Sequence, residues 1–205
     1  SHYPEVTNDA VLNTIADVYG VDKESILIGN GAAELLYVIG RLPGYTGAFV
    51  PAPGFSEYRA SMNAANIPVR DIFYRQRQYD NGIPYFEVPY LALQTFAAEL
   101  KGQDGRIIVF LGNPNNPDGT LLDKIQIKIL ANMLRDANSL LVIDESFIDF
   151  IGNESLRDNS NSLRDLINDY DNVIIVQSLT KFYAVPGLRI GAAFANPTLI
   201  QSLHQ

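Results

Sequence analysis

The sequence predicts an α/β fold, a three-layer α/β/α arrangement around a mainly parallel sheet. Three observations predict it. Short apolar runs alternate with helical patterns from one end of the chain to the other. Two of those runs, Ile107 to Leu111 and Leu140 to Ile143, are apolar at every position, as strands covered on both faces are. Polar motifs follow Ile28, Val50, Leu111, Ile143 and Gln177, at the carboxyl ends of the predicted strands, where open α/β sheets bind their ligands.

The elements read in order as follows. Thr7 or Asn8 caps a first helix whose apolar positions Val11, Leu12, Ile15, Val18 and Tyr19 share a face, with Gly20 as its stop. Ile26 to Ile28 is extended, and Ala32 to Ile39 is helical after the Gly29-Asn30-Gly31 turn. Ala48 to Val50 is a strand; after Pro51-Ala52-Pro53-Gly54, Ser56 to Ala65 forms a helix, and Val69 to Tyr74 is a strand. The polar, turn-rich stretch from Arg75 to Pro89 reads as a loop, leading to a helix from Tyr90 to Lys101. Arg106 to Leu111 is a buried strand, Asp123 to Asn138 a helix, and Leu140 to Ile143 a strand ending on Asp144-Glu145. Gly152 to Asn161 reads as a loop and Ser162 to Tyr170 as a helix. Strands follow at Val173 to Gln177 and Ile190 to Ala195, then a helix from Pro197.

Composition narrows the function. The 205 residues suffice for one sizeable domain, and 47% hydrophobic against 19% charged residues exclude wholesale disorder. Fifteen basic against 23 acidic residues give a net charge of −8, which argues against nucleic acid or an anionic membrane as partner. The absence of cysteine excludes disulfides, thiolate metal sites and cysteine nucleophiles. No apolar run approaches the ~20 residues of a membrane-spanning helix. The opening Ser1-His2-Tyr3-Pro4 is neither a signal peptide nor an initiator, so the chain reads as an excised piece.

Five features can carry chemistry. The small residues of Gly29-Asn30-Gly31-Ala32-Ala33 open a helix whose free N–H groups can seat a phosphate, although the same pattern also serves as a plain strand-to-helix turn. Glu34 stands where a dinucleotide fingerprint has its third glycine. Lys181 lies just past a strand among apolar and aromatic residues, a setting that suits a neutral, nucleophilic amine as well as a surface lysine. Arg189, between Leu188 and Ile190, needs an anionic partner, and Asp144 closes an apolar strand, where it can pair with a cation, cap a helix or ligate metal. Metal is the weaker reading, because His2 and His204 lie at the two ends of the chain. Phe55 is either a core aromatic or a plate against a planar ligand.

Together the segments YPEV at Tyr3, GNGAAEL at Gly29, PGFSEYR at Pro53, NPNNPDGT at Asn113, VIDESFIDF at Val142 and SLTKFYAVPGLRIG at Ser178 follow a known order. The chain resembles the large domain of the fold-type I, class I/II aminotransferase family, which uses pyridoxal 5′-phosphate (PLP). Within it the chain is similar to the threonine-phosphate decarboxylases and histidinol-phosphate aminotransferases. The resemblance implies one PLP-binding domain over residues 1–205, with an N-terminal arm and a C-terminal small domain outside it. It makes Lys181 the residue that carries the cofactor covalently and later moves a proton, and Asp144 the partner of the pyridine nitrogen. Asn116 would bond the ring's 3′-oxygen and Phe55 stack on the ring. The phosphate would take the N–H groups of Ala32 and Ala33, the Ser178 hydroxyl and Arg189. Tyr3 matches a tyrosine that reaches the neighbouring subunit's phosphate, which implies a homodimer.

The implied enzyme is cytoplasmic and acts on a small amino acid or amine, as a phosphate-bearing decarboxylase substrate or as a transaminase substrate. Phe147 departs from the tyrosine that many of these aminotransferases carry, which leans towards the decarboxylase branch. Two alternatives stand beside this reading: a PLP-binding module without turnover, and a nucleotide-binding oxidoreductase, against which Glu34 and Lys181 count.

Overall fold

The computed structural model describes residues 9–100, 105–151, 161–182 and 189–204, without the side chains of 181 and 182. Its strands are β1 (Ile26–Gly29), β2 (Tyr45–Ala52), β3 (Val69–Phe73), β4 (Arg75–Gln78), β5 (Pro84–Glu87), β6 (Arg106–Gly112), β7 (Leu140–Asp144), β8 (Val173–Ser178) and β9 (Gly191–Ala195). Seven of them form one sheet in the order β1-β9-β8-β7-β6-β2-β3. The pairs from β3 to β8 are parallel, whereas β9 runs antiparallel to both β8 and β1. Two reversals restore the direction, so β1 points the same way as β8. The carboxyl ends of β1, β2, β6, β7 and β8 therefore share one edge with the start of β9.

Alternation along each strand divides the core in two. Ile107, Val109 and Leu111 of β6 face one apolar cluster, with Leu141, Ile143, Val173 and Ile175. Ile108 and Phe110 face the other, with Val142, Ile174 and Val176. The first cluster is covered by α1 (Asp9–Tyr19), α4 (Tyr90–Leu100), α5 (Lys124–Asp136) and α6 (Leu166–Asp169), through residues such as Tyr19, Leu93, Leu130 and Leu166. The second is covered by α2 (Ala32–Gly40), α3 (Ser56–Ala64) and α8 (Pro197–Leu203), through Leu36, Met62 and Ile200. The remaining helix, α7 (Leu179–Phe182), is a single turn directly after β8. These are the three layers the sequence predicts. Among the described residues no helix is long and apolar enough to cross a membrane.

Three local readings change. The stretch read as a loop from Arg75 to Pro89 contains the two-stranded β4–β5 hairpin, tied by the Arg77 to Glu87 ion pair at 2.8 Å and by stacked Tyr79 and Tyr85 rings. Residues 162–170 are helical only in α6, because Ser162 and the Leu163 N–H bind the buried Glu145 carboxylate and do not start a helix. In α1, Ile15 and Tyr19 are buried but Val11 and Val18 remain over a third exposed, so its apolar stripe is wider than the face it buries. Of the predicted loop from Gly152 to Asn161, all but Asn161 lies outside the described residues.

Candidate active site

The shared strand edge assembles the site from loops that are far apart in sequence. At its β1 end, Gly31 precedes α2 with φ +84° and ψ 165°, a conformation suited to glycine, and no side chain caps the helix. The first-turn N–H groups of Ala32 and Ala33 have no intrahelical partner. Arg189 lies against this start: a Cβ built on Gly31 would stand 3.2 Å from its guanidinium. Glu34 instead folds back to accept a hydrogen bond from the Asn30 N–H, closing the turn that precedes the helix.

Close packing sets the cradle's depth. A Cβ on Gly191, the first residue of β9, would fall 2.4 Å from the Ala32 nitrogen and 2.5 Å from the Gly31 carbonyl carbon. Only a glycine lets β9 pass directly under the start of α2. Across β9, Ser178 pairs with Gly191, and its hydroxyl lies 3.3 Å from that of Thr180. Thr180, which the sequence reading did not single out, is 6% exposed. Two hydroxyls, a guanidinium and a helix start thus converge on one small volume, the donor set that an anion such as phosphate calls for.

One strand further, Asp144 ends β7. It is buried, and both carboxylate oxygens accept hydrogen bonds: Oδ2 from the Tyr58 hydroxyl at 2.8 Å, Oδ1 from the Ser146 N–H at 2.9 Å. The Asn113 N–H donates to the Asp144 carbonyl, which brings the 113–119 loop out of β6 beside it. Asn116 is half-buried in that loop. The loop is held by Asn115, whose side-chain amide donates to the Pro53 carbonyl at 3.0 Å and also bonds Asp118. Phe55 is half-buried just ahead of α3, edge-on to the Tyr58 ring at 5.6 Å. Phe147 is half-buried beyond β7, its ring 6.2 Å from that of Phe150.

Of the residues picked from the sequence, Ala32, Ala33, Arg189, Ser178, Asp144, Asn116 and Phe55 all fall on this edge. The backbone of Lys181 lies there too, in α7, three residues beyond Ser178; its side chain, and all of Tyr3, lie outside the described residues. Tyr58 escaped the sequence reading. The one available signal was its place three residues after Phe55, one helical turn along, which sets both side chains towards the same region.

Burial shifts three groups nearby. It pushes the Tyr58 hydroxyl well above its usual range, with the Asp144 carboxylate adding to the effect, so Tyr58 stays a proton donor. Burial raises Tyr74 as well, with Asp118 contributing. Behind Asp144, on the other face of the sheet, Glu145 is 1% exposed and pushed up to about 7 by burial, even though Ser162, the Leu163 N–H and Gln177 donate to it and Arg164 lies near. Among the described residues no cluster of three or more histidine, aspartate or glutamate side chains is placed to hold a metal ion.

Known proteins share this architecture. A threonine-phosphate decarboxylase-named protein of Caldanaerobacter subterraneus, described as putative, is 31% identical over all of this chain and 52% of its own length. Histidinol-phosphate aminotransferase 1 of Trichormus variabilis is 30% identical over 99% of this chain and 51% of its own. The adenosylcobalamin biosynthesis bifunctional protein CobDQ of Leptospira interrogans is 33% identical over 99% of this chain but 21% of its own. Among solved structures, histidinol-phosphate aminotransferase from Clostridium acetobutylicum matches with a TM-score of 0.78 at 25% identity, covering 100% of this chain and 55% of that one. L-threonine-O-3-phosphate decarboxylase from Porphyromonas gingivalis matches at 0.73 and 26%, covering 99% and 54%. The chain spans about half the length of most of these relatives. The family model for aminotransferase class I and II matches residues 1–205, and the chain belongs to that family.

Proposed function

We propose that this chain carries the cofactor site of a PLP-dependent enzyme acting on an amino acid or amine that bears a phosphate, with decarboxylation of threonine phosphate as the leading reaction. The observation that carries the reading is the order of groups along the strand edge. The anion cradle lies over β1, β9 and β8, the Asp144 carboxylate at the end of β7, Asn116 after β6 and Phe55 after β2. Neighbouring strands are about 4.8 Å apart, so cradle and carboxylate are separated by a length that a pyridine ring with a phosphate on a short arm spans. Anion donors at one end, a carboxylate for a ring nitrogen at the other, and an aromatic side chain nearby fit that molecule.

Each residue then has a physical task. Arg189, Ser178 and the N–H groups of Ala32 and Ala33 hold the phosphate, and Thr180 adds a second hydroxyl. Asp144 would pair with the ring nitrogen, Asn116 would bond the ring's 3′-oxygen and Phe55 would stack on the ring. PLP, when bound, supplies an aldehyde that condenses with amines and a ring that draws electrons from the substrate α-carbon. Lys181 would anchor the cofactor through its amine and return a proton to the substrate. Phe147, which donates no hydrogen bond, supports the decarboxylase branch; the relatives named histidinol-phosphate aminotransferase, at similar identity, support amino transfer as the second reading. A homodimer in which Tyr3 reaches the partner's phosphate, and a cytoplasmic location, complete the proposal; a clean monomer by native mass spectrometry would remove the dimer.

The test is chemical. Wild-type protein with PLP should show a visible absorbance band that borohydride fixes to the chain, and Lys181→Ala should lose both. Fixation that persists in Lys181→Ala refutes the assignment. Incubation with threonine phosphate or histidinol phosphate, reading carbon dioxide release against amino transfer to a keto acid, separates the two reactions.

A further inference from the structure

We propose that Tyr58 is the positioning residue for Asp144: its hydroxyl fixes the orientation in which the carboxylate meets the ring nitrogen of a bound cofactor. The inference deepens the proposed PLP site and rests on it. The Tyr58 hydroxyl and the Ser146 N–H occupy one oxygen each of the Asp144 carboxylate, which defines its plane and leaves the remaining lone pairs for a ligand nitrogen. The pair is 86 residues apart in sequence and buried at both ends. The tyrosine ring itself is clamped. It stacks on Phe110 at 5.3 Å with 14° between planes, and it meets Phe55 edge-on. One rigid aromatic unit therefore links the residue proposed to lie on the ring face to the residue proposed to hold the ring nitrogen.

The hydroxyl matters through the proton that Asp144 and a ring nitrogen share. A carboxylate that loses one of its two donors is free to turn away from the direction that a straight, short hydrogen bond to that nitrogen needs. Without Tyr58's bond, Asp144 would stabilise a protonated ring nitrogen less well, the ring would carry less positive charge, and an amine attached to it would be more basic.

Tyr58→Phe removes one oxygen atom and keeps the ring between Phe110 and Phe55. The expected result is a melting temperature and circular dichroism close to wild type, PLP affinity lower by on the order of tenfold, and an upward move in the pH midpoint at which the bound cofactor's visible band changes. Phe110→Leu is the packing control: it removes the stacked ring, keeps the hydroxyl, and should lower the melting temperature without moving the midpoint. Unchanged affinity and midpoint in Tyr58→Phe overturn the inference while leaving the PLP site standing. An equal midpoint shift in Phe110→Leu also overturns it, since packing alone would then account for the effect. Wild-type protein that takes up no PLP overturns both.

Discussion

Replacing Glu145 with glutamine tests how strongly the fold controls the charge of the residue behind the site. Glu145 is enclosed: Ser162 Oγ donates to Oε2 at 2.7 Å, the Leu163 N–H to Oε1 at 2.6 Å and the Gln177 amide to Oε2 at 3.1 Å. Burial outweighs these donors and nearby Arg164, raising the carboxyl from 4.5 to about 7. A raised carboxyl favours the fold while the group is protonated. Its contribution is full below about pH 4.5, where the unfolded chain is protonated too, and is lost as the pH climbs through about 7. That interval corresponds to roughly 3 kcal/mol.

Glutamine should remove the dependence and keep the site satisfied. The Gln177 Oε1 is buried without a hydrogen-bond partner, so turning that amide end for end presents an acceptor to a protonated Glu145 or to the amide of Glu145→Gln. Urea denaturation of both proteins at pH 5 and pH 8 reads the result. Wild type should lose about 2–3 kcal/mol relative to Glu145→Gln between the two values. Parallel changes in the two proteins would refute the argument and mean that the donors and Arg164 keep Glu145 ionised throughout.

Two further predictions follow from packing and capping. In Gly191→Ala, a Cβ would press on the backbone of Ala32, so stability should fall by at least ~1–3 kcal/mol and PLP uptake should weaken with it; wild-type melting and cofactor titration curves would contradict the close approach. Asp123 caps α5 by accepting from the N–H groups of Ile125 at 2.9 Å and Gln126 at 3.1 Å. Asp123→Ala should cost about 1 kcal/mol in thermal or urea unfolding and leave cofactor affinity unchanged.

Hydrophobic pattern revealed the central strands because β6, β7 and β8 are buried on both faces and read as unbroken apolar runs. It failed for β4, where Arg75, Gln76, Arg77 and Gln78 are all exposed. A strand with no buried face carries no alternation, and its pairing rests on contacts with β5 that lie outside any local window. The same reason explains residues 162 and 163, whose Ser162 hydroxyl and Leu163 N–H bind Glu145 from 17 and 18 residues away.

The sequence by itself determined the alternation of strands and helices, the glycines and prolines of the turns, and the family to which the motifs belong, because these depend on neighbouring residues and on short fixed spacings. Tertiary structure alone decided which motifs meet. Inserting β9 antiparallel between β1 and β8 brings Arg189 to the start of α2 across more than 150 intervening residues, and the packing of Tyr58 of α3 on Phe110 delivers its hydroxyl to Asp144. Those meetings follow from backbone pairing and core packing summed over the whole sheet, a balance that no single segment of the chain contains.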